Sequence, residues 1–100
     1  MPYPIEWPVG QVNDTFATVG VASTLVLAAR QSRQDTEFVN DSDQTIYLAR
    51  GNPAVIGSGI RLNANGGSYT IGLHNLFLGA VYGICANGQA NLTISEGHKP

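Results

Sequence analysis

The chain is short of charge, and shortest of positive charge. Five of its 100 residues are Lys or Arg against seven Asp or Glu, a formal net charge of −2. Gripping a phosphate backbone or an anionic bilayer needs a basic stripe, so the composition excludes nucleic acid and membrane surfaces as partners. The single cysteine, Cys85, excludes an intrachain disulfide. Set between Ile84 and Ala86, it reads as a small buried apolar residue. Long hydrophobic runs are missing too. The longest, Val19 to Ala29, contains Ser23 and Thr24 and falls well short of the roughly 20 residues a membrane helix requires. Glu6 and Asp14 precede it with no Lys or Arg, which is the wrong flank for a secretory leader.

Catalytic groups are equally sparse. His74 and His98 are the two histidines, and His98 lies so near the end that it is expected to be disordered. Ser58, in Gly57-Ser58-Gly59, lacks the strand-to-helix elbow of a hydrolase serine and reads as loop. Asp35 and Glu37 are two apart on a strand and share a face, as acid and base would need. A solvated strand edge explains them better. One Cys and two His lack zinc spacing, and Asp41 with Asp43 is a fragment of a calcium loop. Gly66-Gly67 is followed by no Lys and opens no helix, so it is a turn rather than a phosphate cradle. The sequons at Asn13, Asn40 and Asn91 follow from abundant Asn and Thr. The expectation is a protein that is not an enzyme and binds neither metal nor cofactor.

What the chain does have is two-residue periodicity. From Ser23 onward short apolar runs alternate with polar residues and are separated by turn residues, the pattern of an all-β domain. It predicts about seven strands, Thr24–Ala28, Thr36–Asn40, Thr45–Arg50, Gly59–Leu62, Ser68–Leu73, Ala80–Ala86 and Gln89–Glu96. Seven antiparallel strands fit a β-sandwich or jelly roll. Residues 1–22 form an extended N-terminal arm, because Pro2, Pro4 and Pro8 interrupt Tyr3, Ile5, Trp7 and Val9; residues 23–97 form the sandwich. Asn87-Gly88 predicts a type I′ hairpin between the last two strands. That register places Val81, Gly83 and Cys85 on the core face with Ala90, Leu92 and Ile94, and leaves Tyr82 and Ile84 on the opposite face. Asn40-Asp41-Ser42-Asp43 and Asn65-Gly66-Gly67 predict two more hairpin turns. Ile5, Trp7, Val9, Tyr82 and Ile84 are the expected interface, since large apolar groups on a solvated face are best explained by a subunit contact.

Residues 30–97 also resemble small bacteriophage virion structural proteins. The resemblance lies in Phe38, Asn40, Ser42 and Asp43 running into Ile46-Tyr47-Leu48, then Gly59-Ile60-Arg61-Leu62 with Gly66-Gly67-Ser68-Tyr69. It closes with Gly79-Ala80-Val81-Tyr82-Gly83-Ile84, Gly88, Ala90, Leu92 and Ile94-Ser95-Glu96-Gly97. These are strand and turn residues, and the Pro-rich arm departs from the pattern. The resemblance implies a β-sandwich virion component assembled in the host cytoplasm and leaves its place in the particle open among decoration proteins, head-fibre bases and tail-associated subunits; the expectation is a capsid decoration subunit. Such a subunit adheres to the major capsid protein or to tail proteins and forms a homo-oligomer, with a trimer favoured. The alternatives are a tail or fibre adaptor and a carbohydrate-binding module.

Overall fold

The computed structural model describes residues 9–100, so Ile5 and Trp7 lie outside the described residues. Eight strands and no helix make up this part: β1 (Gln11–Val19), β2 (Thr24–Leu27), β3 (Arg33–Asn40), β4 (Ile46–Arg50), β5 (Ile60–Leu62), β6 (Ser68–Ile71), β7 (Val81–Cys85) and β8 (Ala90–His98). They form two antiparallel four-stranded sheets, β1-β8-β3-β6 and β2-β7-β4-β5. The pairs β1·β8, β2·β7, β3·β6 and β4·β5 nest around the connection 51–59. The chain is thus one long two-stranded ribbon, wound so that β3 meets β8 and β4 meets β7.

Alternation builds the core. β3 buries Thr36, Phe38 and Asn40 while exposing Asp35 and Glu37, and β8 buries Ala90, Leu92, Ile94 and Glu96 with half-buried residues between. Ile46 and Leu48 of β4, Leu62 of β5, Ile71 of β6, Val81 and Cys85 of β7 and Val19 of β1 complete an interior at 0–1% exposure. Gly83 belongs to it as well, because a Cβ there would meet Val19, Val26 and Leu48 at 3.3–3.4 Å.

The all-β, two-sheet expectation holds, with eight strands where seven were expected. The added strand is β1, inside the span read as an arm. Its first six side chains are exposed, so it carries no inward apolar alternation by which a sequence reveals a strand. Pairing along its whole length with β8 supplies what its side chains do not.

The three hairpins are corrected. β7 pairs with β2 and β4, and β8 with β1 and β3, so Asn87-Gly88 carries the chain from one sheet to the other. Of the two residues only Gly88 has positive φ, at 61°, whereas a type I′ turn needs it at both. Asn40–Asp43 and Asn65–Gly67 likewise join β3 to β4 and β5 to β6 across the two sheets. The facing survives the change of pairing: Val81, Gly83 and Cys85 oppose Ala90, Leu92 and Ile94 across the core, and all six are buried. An arch between sheets and a hairpin within one both reverse the chain, and both keep alternate residues inward.

Candidate functional site

A buried ionic cluster and a buried amide close the two ends of the sandwich. At the end where Gln11 pairs with His98, Arg33 of β3 is 1% exposed. It donates through Nε to Glu96 Oε2 (2.7 Å), through Nη1 to the carbonyls of Phe77 (2.6 Å) and Gly79 (2.9 Å), and through Nη2 to that of Ala28 (2.6 Å). Arg30 Nε reaches the other oxygen of Glu96 at 3.1 Å. At the opposite end Asn40, 0% exposed, donates Nδ2 to the carbonyls of Gln44 (2.6 Å) and Leu62 (3.0 Å) and accepts from Ser42 Oγ at 2.6 Å. Both clusters are satisfied and inward-facing. They fix the connections at the two ends.

The residues singled out for chemistry are scattered. His74 and Ser58 are exposed in separate connections. His98, expected to be disordered, closes β8 at 6% exposure, opposite Gln11 on one side and Arg33 on the other. Asp35 and Glu37 lie on an interior strand of their sheet, not on an edge, and Asp35 Oδ1 accepts the Gly97 N–H at 3.0 Å. Asp41 and Asp43 are exposed at the β3–β4 connection, and no group of three His, Cys, Asp or Glu among the described residues is arranged to hold a metal ion. Cys85 is fully buried as read, with Sγ 3.5 Å from the Val19 and Asn87 carbonyls, and burial pushes its thiol above the usual range. No helix among the described residues is long and apolar enough to cross a membrane.

The interface residues fare differently from one another. Val9 is 40% exposed and lies over Gly97, where a Cβ would meet its methyls. Tyr82 and Ile84 do face away from the core, Tyr82 opposite Leu25 and Ala49, and Ile84 opposite Tyr47. Yet Ile84 is only 8% exposed. The connection 51–59 explains this: Gly51 N–H bonds the Ala80 carbonyl (2.8 Å) and Ala54 N–H bonds Ser23 Oγ (2.8 Å). Ser23 immediately precedes β2, so these residues pass over the outer side of β7, the inner side being filled by the core. No residue pattern in the sequence marks a loop that folds back over this face.

Four large exposed apolar side chains lie within two residues of the partners in that Ser23–Ala54 hydrogen bond. Val21 and Leu25 flank Ser23 at 62% and 50% exposure, and Val55 and Ile56 follow Ala54 at 58% and 45%. None of the four was singled out in the sequence, although Val55-Ile56 in a Gly- and Pro-bounded loop is a visible apolar pair. Exposed apolar side chains on two segments joined in this way are a candidate contact surface. The candidate site is therefore this exposed apolar surface. No protein-family model, curated protein or solved structure matches this chain.

Proposed function

We propose that the protein is a structural component of a bacteriophage virion, a capsid decoration subunit that acts by adhesion to neighbouring subunits. The carrying observation is the exposure of Val21, Leu25, Val55 and Ile56, four half-exposed apolar side chains on the two segments that the Ser23–Ala54 hydrogen bond joins. Covering the exposed half of each side chain contributes on the order of 1 kcal/mol, and the gain repeats at every copy on a lattice. We read the nested order β1-β8-β3-β6 and β2-β7-β4-β5 as a jelly roll, an architecture used by viral capsid and lectin domains. Fold alone does not choose between these. The choice rests on the patch, whose large side chains are aliphatic, together with the resemblance of residues 30–97 to phage virion proteins. Aliphatic groups suit a protein surface better than a sugar ring.

The test is immunogold labelling of purified particles that carry this chain, with Ile56→Lys beside it. Label over the head that is lost with Ile56→Lys supports the reading, whereas label confined to the tail favours the adaptor. Absence from particles, together with retention on an immobilised glycan, overturns both in favour of a carbohydrate-binding module. Because Ile56 is nearly half exposed, the variant should keep its folded stability to within about 0.5 kcal/mol.

A further inference from the structure

The sheets have four outer edges, and three of them are protected. β5 and β6 are three and four residues long, and β2 has four residues with its pairing interrupted between Leu25 and Leu27. Short strands and bulges are the means by which proteins keep sheet edges from pairing with foreign strands. β1 has neither. It runs nine residues in unbroken register against β8, with no strand on its other side among the described residues. It contains no Pro and no Lys, and its one charged residue is Asp14. Val12 and Phe16 stand out from it at 54% and 69% exposure.

We propose that β1 pairs antiparallel with β1 of a second copy across a twofold axis centred on Phe16, joining two four-stranded sheets into one of eight. The side chains select the register. Ala17 and Val19 of β1 turn toward the core, so Val12, Asp14, Phe16 and Thr18 share the outer face. A twofold pair must match residues of the same face. Centring on Asp14 sets two carboxylates directly opposite, which is destabilising, and centring on Thr15 sets Phe16 against a carboxylate. Centring on Phe16 pairs the two aromatic rings and places Asp14 opposite Thr18 of the second copy, whose hydroxyl can donate to it. Thr15 then faces Ala17 of that copy. Backbone hydrogen bonds along the free edge supply affinity, and the side-chain pairs fix the register. A net charge of −2 per chain adds little repulsion. The contact is isologous and closes at two copies. It involves neither Val21, Leu25, Val55 nor Ile56 and stands apart from the adhesion reading.

Cross-linking tests it on the full chain. Phe16→Cys, oxidised with a copper–phenanthroline catalyst, should give a covalent dimer on a non-reducing gel, and Thr18→Cys should give far less, since Thr18 faces Asp14 of the second copy. Cys85 is 0% exposed and does not compete. Phe16→Lys should weaken self-association by about tenfold or more in sedimentation equilibrium, with an unchanged far-UV circular dichroism spectrum. A wild-type monomer at the highest soluble concentration overturns the proposal, as does a trimer in which Phe16→Cys fails to cross-link. So does preferential cross-linking of Asp14→Cys. Ile56→Lys particles that lose label while the dimer persists would count against no part of this pairing, so the two ideas fail separately.

Discussion

One end of the sandwich is closed by a neutral amide and the other by buried charge. Around Asn40 the connections 20–23, 41–45, 63–67 and 86–89 are four or five residues long and turn tightly between the sheets. Backbone hydrogen bonds tie them together: Asn65 N–H bonds the Ser42 carbonyl, Gly66 N–H that of Asn40, and Gly67 N–H that of Asn63. One amide donating to two carbonyls completes the set. Around Arg33 the connections include two of nine residues, 51–59 and 72–80. The carbonyls of Ala28, Phe77 and Gly79 converge there on one guanidinium. A planar fork of five N–H groups can serve three carbonyls and a carboxylate at once. Tight arches thus need a small organiser, and long connections need a large, multiply donating one whose charge must then be balanced by Glu96.

The sharpest way to break this comparison is Arg33→Met. Removing the guanidinium strands three carbonyls and weakens the balance of a carboxylate that is 4% exposed, so the loss in a urea unfolding curve should be about 3–5 kcal/mol. Replacing Glu96 with Leu in the same chain should recover part of it, because the uncompensated charge is then gone. A loss below about 1 kcal/mol would mean that this end is held by packing and that the ionic cluster is incidental.

Asn40 should come next, at roughly 1–3 kcal/mol for Asn40→Ala, the cost of leaving two buried carbonyls without a donor. Asn40→Asp sharpens the point. It keeps the shape but turns an oxygen toward the Gln44 and Leu62 carbonyls in place of the N–H groups, so it should cost more than alanine. If aspartate is the milder change, the donor role assigned to Nδ2 is wrong.

Most strands and most inward residues were legible in the sequence, because one polar and one buried residue in alternation is all a sheet face requires. The organisers were not. Arg33 and Glu96 are charged residues three from Arg30 and two from Ile94 along the chain, and nothing local distinguishes a charge aimed inward from one aimed at water. Asn40 was visible as a turn residue, but its burial follows from Leu62 arriving from another strand. The turns were legible in place and not in kind, since Asn, Asp and Gly permit chain reversal without fixing which sheet receives the next strand. β1 was hidden for the opposite reason: its outward Phe16 and Val12 break the alternation that would have announced it.

Cys85 sits at the neutral end and tests it by pH. Burial raises its thiol in the folded protein, so the protonated form is favoured on folding. The corresponding stability is complete below the unfolded thiol's pKa of about 8.5, and it is lost as pH rises toward the higher folded value. Thermal midpoints should therefore fall above that pH. Cys85→Ser should remove this part of the fall and cost roughly 1 kcal/mol at neutral pH, since the Val19 and Asn87 carbonyls at 3.5 Å offer the new hydroxyl an acceptor. An alkaline slope identical in the two proteins would show that the thiol is not the group responsible.

Arg30 should give the smallest effect and the finest test, because it shares Glu96 with Arg33 but not its burial. Its side chain is 38% exposed against 0% for Arg33, and it makes one contact with the carboxylate, at 3.1 Å rather than 2.7 Å. Water screens that attraction, and holding a long side chain in place offsets part of what is left, so Arg30→Ala should cost less than about 1 kcal/mol. The loss should shrink further in high salt, while that of Arg33→Met should barely change. A double-mutant cycle between the two arginines separates the possibilities. Near-additive losses mean that Arg33 alone neutralises Glu96 and that Arg30 is a surface ornament of the cluster. If Arg30→Ala instead costs as much as Arg33→Met, the three groups act as one unit, and charge balance rather than carbonyl capping holds this end together.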